Sequence, residues 1–185
     1  MERCSWCGTD ELYVKYHDEE WGTPVHDDRK HFEFLLLESA QAGLSWITIL
    51  KKRENYRRAY DDFDAAKIAA YDEEKYGELL QDKGIVRNRL KIKASINNAK
   101  CFLKIQEEFG SFDRYIWGFT ENKPVVNRWE SISEVPANSE LSDRVSADLK
   151  ARGFKFLGTT IVYAHLQATG LINDHITGCF RYFQG

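Results

Sequence analysis

The chain has 185 residues, 30% of them charged and 43% apolar, with a formal net charge of -3. This is the balance of a soluble globular protein, long enough for one sizeable core or two small lobes sharing an interface. No apolar run approaches the roughly 20 residues of a membrane span. The N-terminal MERCSWCG lacks a hydrophobic signal core, which points to the cytosol. There Cys4, Cys7, Cys101 and Cys179 are expected as reduced thiols or metal ligands rather than disulfides.

Net charge argues against a protein coated in phosphate-binding residues, but its distribution is uneven. Residues 83–104, KGIVRNRLKIKASINNAKCFLK, hold seven Lys/Arg and no Asp/Glu. One basic segment on an acidic background suits a local phosphate-binding footprint; a solvated helix face gives the same pattern.

Helical patterning dominates in chain order. Residues 28–41 predict an amphipathic helix with Phe32, Leu35, Leu36 and Ser39 on one face, ended by Gly43. Ser45 is placed to cap a second helix through WITILKKRENYRRAYDDF. DAAKIAAYDEEKYGELLQDKG predicts two short helices, the second ending at Gly84. A long helix ending at Gly110 and a short one in SFDRYIWGF follow. TENKPVVNRWESISEVPANSE, with two of the three prolines, reads as loop. ELSDRVSADLKARG and TTIVYAHLQATG predict two further helices, stopped at Gly153 and Gly170. No alternating strand series or internal repeat stands out. The expected fold is all-α, with two helical lobes flanking a cleft.

Two features carry chemistry. The stretch LLLESAQAGLSWITIL, residues 35–50, reads as core yet contains Glu38, with Trp46 just beyond a Gly-Leu-Ser break. A lone buried carboxylate is costly unless partnered. Glu38 therefore caps a buried backbone group, pairs with an arginine, or meets a ligand. Second, Cys4 and His17 near one end and His175 and Cys179 in HITGC near the other make a Cys2His2 set. Zinc in a closed site takes four such ligands, and this set would join termini that tend to fray. His175 and Cys179 are expected to share a helical face. Scattered thiols and a surface histidine remain the alternative. Cys7, in CSWC, is a competing ligand or half of a redox pair.

The blocks RCSWC, YVKYHDEEWG, LLLESAQAGLSWITILKKRENYR, RGFKFLGTT and GLINDHITGC, in this order, give the chain a recognisable identity. It resembles the 3-methyladenine DNA glycosylase I family of bacterial base-excision repair, from residue 3 to residue 179. The resemblance implies a helix-hairpin-helix glycosylase fold, one domain over residues 1–185, with the hairpin at about 76–104. It implies a structural zinc on Cys4, His17, His175 and Cys179. The hairpin would be LLQDKGIVRNRLKI, with Gly84, Val86 and Arg87 at the turn, and its backbone N–H groups are expected to bind phosphate. The hairpin's usual second glycine is missing, with Arg87 or a neighbour standing about there.

A glycosylase takes its target base out of the stack into a pocket. A 3-methylated adenine is cationic, so aromatic faces attract it and a carboxylate accepts from its exocyclic amine while offsetting charge. The resemblance implies Glu38, Tyr16 and Trp46 as the pocket's core, with Tyr13 and Trp6 close by; Trp21 is open to packing or pocket. The bond to a cationic base is already weak, so catalysis is expected from extrusion, tight binding of the leaving base and an ordered water, with Glu38 as the main electrostatic group. No aspartate follows the hairpin as in many relatives of this fold, and no activated lysine suggests a lyase step. Gln41 and Leu44, flanking Gly43, are candidates to fill the gap left by the extruded nucleotide; Leu44 is equally a helix-end core residue. Lys155 and Arg152 are phosphate candidates.

These readings imply a monomeric enzyme of the bacterial cytosol and nucleoid that acts on alkylated double-stranded DNA and releases 3-methyladenine, with no membrane contact. The competing readings are a non-catalytic, zinc-stabilised DNA-binding module and a redox or metal sensor using CSWC. A plain binder needs no buried Glu38.

Overall fold

A computed structural model of the chain describes residues 2–182. Met1 and residues 183–185, which include most of the terminal YFQG, lie outside the described residues. The helices are α1 (Glu11–Glu19), α2 (Asp28–Gln41), α3 (Trp46–Leu50), α4 (Arg53–Ala59), α5 (Ala65–Ala69), α6 (Glu73–Gln81), α7 (Arg89–Phe109), α8 (Phe112–Gly118), α9 (Glu140–Ala151) and α10 (Thr159–Ala168).

Local capping explains why the chain breaks into so many short helices. Seven of the ten start on an Asp, Asn or Ser whose side chain accepts from the first-turn amides: Asp10, Asp27, Asp64, Asp72, Asn88, Ser111 and Ser139. Ser45 is not among them: it precedes α3, but its Oγ lies 2.6 Å from Thr48 Oγ1 rather than on an amide.

The helix expected over 46–63 is two helices, broken at Lys51–Lys52. The break carries Ile49 into one apolar cluster and Leu50 into the other. It also turns Arg53 and Arg57 onto buried Glu33, at 2.6 and 2.9 Å. Apolar periodicity does not encode that ion network. Two further expectations are corrected. The proline-containing loop holds a two-residue strand, β1 (Val125–Val126), paired in parallel with β2 (Ile172–Asn173). HITGC is a turn, with Cys179 N–H on the Ile176 carbonyl at 2.8 Å, so no helical face joins His175 to Cys179.

Helix α2 is the axis of the molecule. Every residue from His31 to Ala40 is buried, so the expected single apolar face is replaced by burial all round. Its Phe32, Leu35 and Leu36 pack with Phe102, Ile105, Trp117, Leu149 and Leu166 in the larger cluster. Phe34 belongs to a smaller cluster with Cys4, Tyr16, Trp21, Leu50, Ile176 and Cys179. Trp46 packs against both. Among the described residues no helix is long and apolar enough to cross a membrane.

Gly170, past the end of α10, has φ +74, and a Cβ there would stand 2.5 Å from Pro24 N and 2.6 Å from Thr23 C. Both obstacles are backbone, so neither moves cheaply. Gly170→Ala is expected to cost about 3 kcal/mol, combining left-handed strain with that clash. Thermal unfolding checks it: the midpoint falls by roughly 6–12 °C.

Candidate active site

The two clusters leave between them a cleft of about 350 Å³. One wall is aromatic. Tyr13 and Tyr16 project from α1, Trp6 from the turn before it, Trp21 from just beyond it, and Trp46 from the first residue of α3. Trp6 is the hub, with ring centroids 5.0 Å from both Tyr13 and Trp21 and 6.3 Å from Tyr16; Tyr16 stands 5.7 Å from Trp46. All five aromatic candidates, and Gln41, therefore line one cavity with Glu38. Trp21, which its sequence left open to packing or pocket, lines the cavity and also packs 4.6 Å from the His175 ring.

Glu38 is 2% exposed and pairs with no arginine. The buried acid that does so is Glu33, five residues earlier. Nor does Glu38 cap a backbone group. Its Oε2 lies 2.9 Å from Nδ1 of buried His165, and Oε1 has no partner among the described residues. Burial pushes its carboxyl well above the ordinary value. The indole N–H groups of Trp6 and Trp46 are also buried without a partner among those residues. Unmatched buried polar groups are rare and costly. Here one acceptor and two donors of this kind all belong to cleft-lining residues, the pattern of a site shaped for a flat, polar-edged ligand.

The opposite wall was missed by sequence reasoning. Thr160, Tyr163, Ala164, Gln167 and Ala168 line it from one face of α10, and Ile132, Val135, Pro136 and Ala137 from the loop before α9. A signal for α10 was present: positions 160, 164 and 168 are small at helical spacing, which leaves room beside the helix. Buried Asp174 holds this wall. Its carboxylate accepts from Tyr163 and Gln167 on α10 and from Asn127 and Trp129 near β1. No signal for the loop was available, because long-range packing places it.

Behind the aromatic wall, one ligand atom from each of Cys4, His17, His175 and Cys179 lies within 4.8 Å of the others, all four residues buried. Cys4 Sγ to His175 Nδ1 is 3.5 Å, Cys179 Sγ to His175 Nδ1 3.5 Å, and Cys179 Sγ to His17 Nε2 3.4 Å. A zinc tetrahedron with ordinary Zn–S and Zn–N bonds has S···N edges of roughly 3.5 Å. The outer ring nitrogens are engaged as ligand histidines require: His17 Nδ1 on Asp18 at 2.8 Å, His175 Nε2 on the Trp21 carbonyl at 3.1 Å. The donor set fits one metal ion. Cys7 stands outside it, its thiol donating to the Cys4 carbonyl at 3.2 Å.

A methyladenine glycosylase family model matches residues 6–182, nearly the whole chain. The chain belongs to the methyladenine glycosylase family. It is 50% identical to DNA-3-methyladenine glycosylase 1 of Escherichia coli K12, across 98% of this chain and 97% of that one. It superposes on a crystal structure of 3-methyladenine DNA glycosylase I with TM-score 0.94 at 50% identity, covering 97% and 98% of the two chains. A Y16F variant of 3-methyladenine DNA glycosylase I in complex with 3-methyladenine also matches, with TM-score 0.94 at 38% identity and 97% coverage of both chains.

The family's expected DNA-contacting segments divide in two. Gly43, at φ +81, ends α2, and Leu44 stands 41% exposed beside Gln41, so Leu44 is not a helix-end core residue. Lys91, from the basic segment, reaches back to this loop's carbonyls, its Nζ donating to Ala40 O at 2.8 Å and Ala42 O at 2.6 Å. The turn between α6 and α7 departs from expectation. Gly84 N–H goes to Asp82 at 2.7 Å and Val86 N–H to Tyr56 Oη at 3.0 Å, so neither amide is free for phosphate. The turn closes on itself instead, and Arg87 is left exposed at its surface. Lys155 is exposed on a backbone clamped by Asn98, whereas Arg152 is committed to Glu108 and Asp148.

Proposed function

We propose that this chain is a monofunctional DNA glycosylase that extrudes 3-methyladenine from alkylated double-stranded DNA and hydrolyses its N-glycosidic bond, leaving an abasic site. The observation that carries the reading is the buried, unmatched Oε1 of Glu38 in an aromatic cleft, in a chain matched end to end by this family. Aromatic faces of Tyr16, Trp46, Trp6 and Tyr13 stack on the base, and Trp21 closes the cleft behind Trp6. Glu38 accepts from the exocyclic amine. The chain supplies binding and water exclusion to a bond that is already labile, because the base departs neutral. Leu44 fills the gap in the duplex beside Gln41 and Gly43, while Lys155, Arg87 and the turn at Gly84 and Val86 sit against the backbone. At the turn, the side chain of Arg87 makes the contact, since the Gly84 and Val86 amides are spent within the fold.

Zinc on Cys4, His17, His175 and Cys179 is the proposed metal, with a structural role. It ties both ends of the chain to the aromatic wall and takes no part in the reaction. Two thiols and two imidazoles closed around one point leave no open position for a substrate.

Incubation with alkylated duplex DNA, with freed bases identified by mass, tests the function. Free 3-methyladenine and matching abasic sites are the expected products. A protein that binds the duplex and frees no base is the non-catalytic module instead.

A further inference from the structure

His165 plays no part in the stacking just described, yet among the described residues it is the one hydrogen-bond partner of the Glu38 side chain. A chain of hydrogen bonds continues from it through the core: His165 Nε2 lies 3.4 Å from His31 Nδ1, and His31 Nε2 lies 3.1 Å from the Val25 carbonyl. That carbonyl also takes the Trp117 indole N–H at 2.8 Å.

The far end sets the polarity of the chain. A carbonyl oxygen only accepts, so His31 carries its proton on Nε2 and offers Nδ1 as a lone pair. His165 therefore donates from Nε2, and its Nδ1 is a lone pair facing Glu38. A carboxylate offers that lone pair nothing; a carboxylic acid with its proton on Oε2 completes the chain. Oε1 is then a neutral acceptor among the cleft-lining groups.

We propose that His31 and His165 are positioning residues that hold Glu38 as a neutral carboxylic acid, so that the cleft recognises a base by a hydrogen bond accepted at Oε1 and not by opposite charge. The inference rests on the glycosylase reading and deepens it. Burial favours the neutral form at all three groups, raising Glu38 and lowering both histidines to about 3. On His31, desolvation and neighbouring His165 outweigh Asp113, 3.9 Å away on α8, and Asp28 on α2. Asp113 is itself engaged by His26 at 2.9 Å. From α1 the buried phenol of Tyr16 faces Glu38, and burial keeps it protonated. The cations nearest along α2 and α4, Lys30, Arg53 and Arg57, are committed to Glu20 and Glu33.

This changes the electrostatics assigned to Glu38 from the sequence. A carboxylate would stabilise the cationic base before cleavage and lose that interaction as the base becomes neutral. A neutral acceptor keeps its hydrogen bond throughout, so it does not oppose departure.

Nuclear magnetic resonance of the wild-type protein tests the polarity, using 15N-imidazole and 13C-carboxyl labels. Both histidines are expected as neutral Nε2–H tautomers, and Glu38 at the carboxylic-acid shift, from about pH 5 to pH 8. Affinity for 3-methyladenine gives the second readout. His31→Gln keeps a donor for Val25 and an acceptor for His165, and is expected within about twofold of wild type. His31→Leu frees the His165 tautomer and loses about tenfold, the worth of one hydrogen bond. A wild-type His165 protonated on Nδ1, a Glu38 that titrates in the ordinary carboxylate range, or equal losses in the Gln and Leu variants overturns the proposal while base release continues. Wild type that frees no base overturns the function itself, and this inference with it.

Discussion

Glu38→Ala is expected to lower the release of 3-methyladenine from alkylated duplex DNA by roughly 100-fold. The substitution removes the one acceptor among the cleft's unmatched buried groups in the described residues and leaves the aromatic wall intact. A flipped base then pairs its exocyclic amine with nothing, in a cleft where water is a poor substitute. The fold has less at stake. Glu38 supports no ion pair with a cation, and its loss unpartners a single nitrogen of His165. A stability change within about 2 kcal/mol is expected, readable as a small shift in unfolding midpoint. Base release and the midpoint must be measured on the same preparation. Unchanged release from a folded variant would remove Glu38 from the site.

Removing the metal is expected to have the largest effect on stability. Wild type should carry close to one zinc per chain and Cys4→Ala almost none. A ligand held about 1,000-fold above its dissociation constant stabilises by about 4 kcal/mol. In a domain of this size that corresponds to a midpoint lower by roughly 8–16 °C. A strong chelator should reproduce the loss in wild type, and added zinc should reverse it there but not in the variant. Burial raises the Cys4 thiol to about 12, and a bound cation acts against that shift. Base affinity should fall along with zinc, since the Trp6 ring lies 5.3 Å from His17 and the Trp21 ring 4.6 Å from His175. Equal midpoints for wild type and Cys4→Ala, with no zinc in either, would leave the four residues as an apo cluster of thiols and imidazoles.

The two experiments probe neighbouring layers. The Cys4–His17–His175–Cys179 cluster supports the aromatic wall from behind, while Glu38 approaches the same cleft from α2. Leu44 and Lys91 show how the layers meet the surface proposed to face DNA. Lys91, one of the seven basic residues of segment 83–104, ties down the end of α2, next to the loop that carries Leu44.

From the sequence alone came the helical class, most helix starts, and the residues of the aromatic wall with Glu38, but not the wall on α10. Short-range rules govern those. Asp, Asn and Ser caps act within three residues, and Gly43, Gly110, Gly153 and Gly170 all adopt positive φ where helices end. An acid inside an apolar run is costly wherever it folds, so Glu38 announced itself before any partner was known. Only the tertiary structure decided who the partners are. Glu38 meets His165 across 127 positions of chain, and the metal cluster spans 171 between Cys4 and His175. The break between α3 and α4, the turn conformation of HITGC, and the internal capture of the Gly84 and Val86 amides likewise follow from contacts that no local window contains. Local propensity is set by a few neighbouring residues. The proton positions, ion pairs and cleft walls that perform chemistry are set by which distant surfaces are buried together, and burial is a property of the whole fold.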